Sequence, residues 1–280
     1  MLTIQTRAGT VAYEEEGTGV PLVLLHANPG DHHHFDDIVS TLARSYRTIA
    51  LDWPGYGESA PPNPPQSATA MLFADVLEDA VEALHLEPAI FLGNSVGGYA
   101  AARLAIRHPE RVRALILVDS GGFASPSLFN RLFCQIKGSE LITRLFATQW
   151  ARFYLKRRTP LVKQIIADVD KERSIPSRVA VDAALWRSFF HPDHDLRQVA
   201  SRITAPTLLI YGRYDPAIPF KRDGRNAQAA LPHAQFTVLE TGHEPFAEDP
   251  DAFLQAITPF LQSITEVRSS HAPSNSSSPR

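Results

Sequence analysis

Six short runs of this chain are apolar on both faces, and they alternate with longer stretches of helical spacing. The runs are Pro21–His26 (PLVLLH), Thr48–Leu51, Ala89–Leu92 (AIFL), Ala114–Val118 (ALILV), Thr207–Tyr211 (TLLIY) and Phe236–Leu239. A strand with one face in water alternates apolar and polar residues. These do not, so they read as strands covered on both sides, as in a parallel sheet. Thr10–Glu16 and the N-terminal LTIQT alternate, which suits an outer antiparallel hairpin. Between the runs, Phe73, Val76, Leu77, Ala80, Val81 and Leu84 recur at helical spacing, as do Phe253, Leu254, Ile257, Phe260, Leu261 and Ile264. Val96–His108 is Ala-rich and stops before Pro109. Strands and helices alternating at these lengths predict an α/β fold, a mostly parallel central sheet flanked by helices.

The rhythm breaks once. From Val118 to Thr207 there is no buried strand, only helical spacing: Leu128, Leu132 and Phe133; Leu141, Leu145 and Phe146; Leu161, Ile165, Ile166 and Val169; Ala184, Leu185 and Phe189. The expected organisation is a core domain of residues 1–122 and 196–267, with residues 123–195 inserted as a helical cap. Residues 268–280 (RSSHAPSNSSSPR) form a Ser- and Pro-rich tail without an apolar cluster, expected to be disordered.

At 280 residues, 44% hydrophobic and 20% charged, the composition is that of an ordinary globular protein. A net charge of −3 gives no concentrated positive field, so nucleic acid is not an expected partner. No apolar run approaches the ~18 residues of a membrane span, and the N-terminus lacks the pattern of a signal peptide. Cys134 is the sole cysteine. It can form neither an internal disulfide nor a thiolate cluster, and it fits a reducing, cytoplasmic setting. Oligomeric state leaves no trace in the sequence.

Chemistry enters at Gly93-Asn94-Ser95-Val96-Gly97-Gly98, between a strand and a helix. This is G-x-S-x-G in the strand–turn–helix context that the motif requires. The sharp turn crowds the chain, and glycine at 93 and 97 relieves it. The serine hydroxyl is then presented above the carboxyl ends of the strands, with a helix N-terminus behind it. A serine hydroxyl is a poor nucleophile and needs an oriented base. In this chain order an acid should follow, then a histidine. Asp215 lies just past the strand TLLIYG, and His243 lies past FTVLE, before the last helix. Asp119 also ends a strand (ALILVD) and rivals Asp215 for the acid role. Ser95, Asp215 and His243 are thus the candidate catalytic set.

Acyl transfer also needs donors for the oxyanion. Val96 N–H, next to the nucleophile, is one. The loop His26-Ala27-Asn28-Pro29-Gly30 supplies the other, with Ala27 first, Asn28 as the alternative, and His26 buttressing the loop through its ring. Asn28, Asn94, Trp150, Tyr154 and Trp186 are candidate substrate contacts. The aromatic ones could equally form the insertion's own core. Asp31-His32-His33-His34 invites a metal site, but consecutive side chains on a helix diverge by about 100° and cannot share one ion. Asp31 reads better as a helix N-cap. No metal and no cofactor are expected. Residues 124–190 hold twelve Lys or Arg against five Asp or Glu, +7 within a chain of −3. That favours either an anionic substrate or, more simply, a solvated surface.

Together, HANPG, LDWPGYGES, GNSVGG, GRYDPAIP and GHEPFAEDP, in that order, resemble the α/β-hydrolase fold superfamily, serine hydrolases with a helical lid, over roughly residues 11–263. Members usually carry Gly where this chain has Ala27, and the extra methyl narrows the oxyanion loop. The N-P of HANPG is similar to haloalkane dehalogenases and epoxide hydrolases, but their nucleophile is Asp, and dehalogenases place Trp where Val96 stands. The resemblance implies a serine hydrolase acting on a small or medium carboxylic ester, lactone or thioester through an acyl-enzyme on Ser95. The alternatives are a carbon–carbon bond hydrolase or cofactor-free perhydrolase on the same residues, and a ligand receptor with vestigial turnover.

Overall fold

The computed structural model describes residues 1–269. Every expected strand forms: β1 (Leu2–Thr6), β2 (Gly9–Glu16), β3 (Val20–Leu25), β4 (Tyr46–Leu51), β5 (Ala89–Asn94), β6 (Val112–Val118), β7 (Thr207–Gly212) and β8 (Gln235–Leu239). They make one sheet in the order β1-β2-β4-β3-β5-β6-β7-β8. The hairpin of β1 and β2 is antiparallel, β2 joins β4 antiparallel, and all other pairings are parallel. In the centre, Leu24 pairs with Leu92, Leu92 with Ile116, and Ile116 with Leu208. β8 departs from expectation: at the sheet's edge its residues are only half-buried.

The two apolar faces of each central strand feed two cores. On one face Val23, Phe91, Leu115 and Leu209 pack with Phe73, Val76 and Leu77 of α2 (Ala70–Ala83) and Tyr99 and Leu104 of α3 (Val96–Arg107). On the other, Leu22, Leu92, Ile116 and Ile210 pack with Phe35, Ile38 of α1 (Asp36–Leu42), and the C-terminal aromatics Phe246, Phe253 and Phe260. Each fully buried Leu, Ile or Phe contributes about 1.5–3 kcal/mol. The one-residue alternation of burial is therefore strongly fixed, and with it the height at which each strand ends.

Between β6 and β7 the chain inserts four helices: α4 (Leu128–Lys137), α5 (Glu140–Tyr154), α6 (Pro160–Glu172) and α7 (Pro176–Ser188). Ser127 and Thr159 cap α4 and α6 through their hydroxyls, and Pro160 and Pro176 occupy first turns. The apolar stripes of α4 and α5 do not do what the spacing predicts. Leu128, Leu132, Leu141, Leu145 and Phe146 are exposed, as is Ile136, whereas Phe133 packs inward against Cys134, Tyr154 and Trp186. The inward residues include Lys137, Thr143, Thr148 and Tyr154. Past β7 come α8 (Arg225–Ala230), α9 (Pro245–Glu248) and α10 (Pro250–Ser269). Arg268 and Ser269, expected to begin the tail, belong to this last helix; residues 270–280 lie outside the described part. No described helix is long and apolar enough to cross a membrane.

Candidate active site

β5 ends at Asn94 and α3 starts at Val96, so a single residue makes the turn. Ser95 takes φ 54 and ψ −113, a conformation an L-residue adopts only under constraint, at about 1–3 kcal/mol. The constraint is visible. Ser95 N–H donates to Val118 O (3.0 Å), while Ser95 O accepts from Tyr99 N–H (3.0 Å) and Gly121 N–H (2.9 Å). A Cβ on Gly93 would collide with the Gly97 carbonyl, and one on Gly97 with the Leu25 carbonyl. The glycines thus clear the backbone of each other and of β3, which brings the elbow down onto the sheet. Ser95 makes no side-chain cap bond to α3 and remains partly exposed.

The acid and the histidine meet as expected. His243 Nδ1 is 2.7 Å from Asp215 Oδ2, with both residues buried. Burial alone would depress the imidazole. The Asp215 charge and its hydrogen bond override this, and the His243 pKa stands above its ordinary value. Asp215 Oδ1 accepts from Ala217 N–H (2.7 Å), which fixes the carboxylate on its loop. Among the described residues no Ser95 Oγ–His243 hydrogen bond is formed. The two residues are tied instead through Asn94, whose Nδ2 donates to His243 O and Val118 O, each at 3.0 Å.

Asp119 is not the histidine's partner but stands behind it. It takes φ 40 and accepts from Gly212 N–H with both oxygens (3.1 Å each). Its carboxyl oxygen, one from Asp215 and a nitrogen of His243 fall within 4.8 Å of one another. Complete burial, then the Asp215 charge, push the Asp119 pKa well above the usual carboxylate range. These three side chains are the described residues close enough to hold one metal ion. Asp215 already holds Nδ1 of the imidazole.

His26 does buttress the loop after β3. Its Nδ1 lies 2.6 Å from Ala27 O, and its Nε2 accepts from Trp53 N–H (3.0 Å). Burial lowers its pKa to about 4, so the ring is neutral. Ala27 is buried, whereas Asn28 lines a cavity between the insertion and the sheet edge, together with Pro29, Lys137, Trp150, Tyr154, Asp182 and His243. Trp150 and Tyr154 are therefore beside the histidine as expected. Trp186 lies behind them, within the insertion's small core of Cys134 and Tyr154. Asn94 is a correction: fully buried, its side chain clips the elbow to the histidine loop and does not face a substrate. The histidine run also separates. His32 bonds Asp52 (2.9 Å), His33 points outward to Asp36 (3.1 Å), and His34 faces Glu244 (3.0 Å). Asp31 accepts from His33 N–H (3.0 Å), capping a short 3-10 turn.

A family model described as alpha/beta hydrolase fold matches residues 20–250. The chain belongs to this family. The hydrolase is 30% identical over 269 residues to a pimeloyl-[acyl-carrier protein] methyl ester esterase of Aeromonas hydrophila, covering 90% of this chain and 99% of the relative. A protein of the same description from Pectobacterium carotovorum is 29% identical, covering 90% and 99%. Among solved structures, the fold is shared with an enol-lactonase from Burkholderia xenovorans (TM-score 0.79, 22% identity, 93% and 100% covered). It is shared also with a thermophilic esterase from Thermogutta terrifontis (TM-score 0.77, 24% identity, 94% and 98% covered).

Several residues of the hydrolase's site escape sequence reasoning. Tyr154 O accepts from His243 N–H (3.1 Å), so the insertion holds the histidine loop by its backbone. Glu248, buried, accepts from the amides of Lys156, Arg157 and Gly242 (2.8–2.9 Å), joining the same two segments. Asp182 of α7 accepts from Asn28 Nδ2 (3.0 Å). In sequence each is a charge on a helix or in a turn; no spacing marks it. The one available signal was the position of Glu248, five residues after His243 in a loop already singled out.

Proposed function

We propose that this hydrolase cleaves a small or medium carboxylic ester through an acyl-enzyme on Ser95. The observation that carries it is the buried 2.7 Å Asp215–His243 pair, clipped through Asn94 to a strained serine elbow. His243 Nε2 takes the Ser95 proton as Oγ bonds to the ester carbonyl carbon. The tetrahedral adduct collapses, the carbon–alkoxy bond breaks, and the proton passes to the leaving alcohol. Water then repeats the sequence, protonating Ser95 and releasing the acid. Asp215 holds the imidazole with Nε2 facing the serine and stabilises its cation. Val96 N–H is one oxyanion donor. The second comes from Ala27 or Asn28, and the presence of Asn28 on the cavity wall supports Asn28.

The relatives described as methyl ester esterases support an ester over a carbon–carbon bond. The four-helix insertion acts as the cap, with Trp150 and Tyr154 on the acyl or alcohol group. Burial pushes the Cys134 thiol up to about 12, so it stays unreactive, which fits a reducing, cytoplasmic setting. The test is covalent: a fluorophosphonate labels Ser95 in the wild type, and p-nitrophenyl esters leave a transient acyl adduct seen by intact mass. Ser95→Ala removes about 10⁴–10⁶ in kcat. A wild type that neither labels nor turns over any ester would overturn the proposal.

A further inference from the structure

Of the twelve cations of the insertion, the structure sets one apart. Arg157 pairs with Asp249, Lys171 with Asp168, Arg173 with Asp170 and Arg178 with Glu172, at or near the surface. Lys137, at the last turn of α4, is 2% exposed and is the one Lys or Arg among the described buried residues. It lines the cavity that reaches His243.

Burying an ammonium costs several kcal/mol unless its donors are met. Here they are only partly met. Lys137 Nζ donates to Tyr154 Oη (3.1 Å) and sits over the rings of Trp186 (3.9 Å to the centroid), Tyr154 (4.7 Å) and Trp150 (5.2 Å). The aromatic faces stabilise the charge without accepting hydrogen bonds in the ordinary sense. Among the described residues no carboxylate is in ion-pair contact with it; Asp182, on the facing α7, acts only at longer range. A second donor on the cavity wall is also unmet: Trp150 Nε1 is buried without a hydrogen-bond partner. Two buried donors, one of them cationic, therefore border a cavity that His243 also lines. Lys137 and His243 both line this cavity, and both lie against Tyr154, the ammonium 4.7 Å and the imidazole 6.0 Å from its ring centroid.

We infer that Lys137 and Trp150 form an anion subsite, and that the preferred substrate is a short ester carrying a second, free carboxylate. Resting on the esterase reading, this narrows it to half-esters of short dicarboxylic acids or esters of short hydroxy acids. The carboxylate accepts from Lys137 Nζ and Trp150 Nε1 while the ester carbonyl lies against Ser95. The other groups facing the ammonium are the Asp182 carboxyl, the Cys134 thiol and the Tyr154 hydroxyl. Burial lowers the Lys137 pKa to about 8, against the pull of Asp182, so the ammonium is lost as pH rises through that value.

The test compares monomethyl glutarate with methyl glutaramate, which puts a neutral amide in place of the carboxylate. Butyryl glycolate against butyryl glycolamide repeats this on the alcohol side and tells which half of the ester meets Lys137. In the wild type kcat/KM favours the anionic member of at least one pair by about 10- to 100-fold, the worth of a charge-assisted hydrogen bond in a dry site. That ratio falls toward one in Lys137→Met and is kept in part by Lys137→Arg. Independently of any variant, the wild-type ratio declines between pH 7 and 9.5. Equal rates on both members of both pairs, or a ratio flat with pH, overturn the subsite while leaving the esterase intact. Hydrolysis of neither, with Ser95 unlabelled by a fluorophosphonate, overturns both.

Discussion

Two buried carboxyls lie close to the His243 imidazole, the proposed catalytic base, and exchanging each for its amide separates their roles. Asp215 faces Nδ1 at 2.7 Å and must carry the charge that orients and stabilises the imidazolium. Asp215→Asn presents an amide that cannot serve both functions, and the loss expected from the triad precedent is about 10⁴ in kcat. Asp119 is different. Burial first, and the Asp215 charge second, push its pKa well above the usual carboxylate range, which favours the neutral form. An asparagine there is neutral too, and its oxygen can still accept from Gly212 N–H, now held at 3.1 Å. At most one ordinary hydrogen bond is altered, so Asp119→Asn should keep kcat/KM within about tenfold of wild type. Stability should move the other way. A carboxyl that is protonated in the native state and ionised when unfolded costs stability as pH rises above the ordinary carboxylate pKa. Asp119→Asn removes that cost, so its Tm gains on the wild type between pH 4 and pH 8. Steady-state hydrolysis of p-nitrophenyl butyrate and thermal melts across pH read both effects. A loss at Asp119→Asn equal to that at Asp215→Asn would mean that the charge resides on Asp119, and the assignment of roles fails.

The imidazole must be neutral to take the serine proton, and its pKa is raised by Asp215, so the acid limb of kcat/KM should lie above the ordinary histidine value of about 6.5 and drop in Asp215→Asn. His34 gives a stability signature. Although burial alone would lower its pKa, Glu244 raises it to about 9. Its contribution, of order 3 kcal/mol, is full below pH 6.5 and is lost as pH rises through 9; denaturant melts of Glu244→Gln should lack that pH-dependent loss. Gly97→Ala drives a methyl into the Leu25 carbonyl. It should cost about 1–3 kcal/mol in urea unfolding and slow fluorophosphonate labelling of Ser95, whereas a fully active variant would show that the elbow does not need the close approach.

What the sequence makes legible follows what is local or periodic. Strands buried on both faces announce themselves because nothing polar interrupts AIFL or ALILV, and the alternating residues of β1 and β2 mark the edge hairpin as plainly. The candidate acid, base and nucleophile are legible because each follows such a strand directly, so that strand register alone brings them to one edge. Asn94 was misread for the complementary reason. Its neighbour is the nucleophile, but a strand alternates direction at each residue, and the step from 94 to 95 also passes through a positive-φ turn. The side chain therefore points into the protein, to His243 O. Lys137, Glu248 and Asp182 do not stand out as functional residues because their meaning comes from contacts that reach as far as 92 positions along the chain for Glu248 and 154 for Asp182, which no window of sequence contains.

The insertion shows why its helices were hardest to read. Periodicity marks an apolar stripe but not its direction, and the default is inward. In α4 and α5 the stripe faces out, with Leu128 88% and Leu141 63% exposed, while Lys137, Thr143 and Tyr154 face in. An ordinary helix packed on a core would be destabilised by that exchange, since the exposed leucines forgo burial and the ammonium loses its hydration. The arrangement makes sense where the inner surface is not a core but the wall of a site. In the proposed subsite its polar groups face the substrate, and a backbone tie, His243 N–H to Tyr154 O, makes the position of the imidazole depend on how the insertion is seated. On that proposal, a residue that is a misplaced charge in a packing argument selects what reaches Ser95.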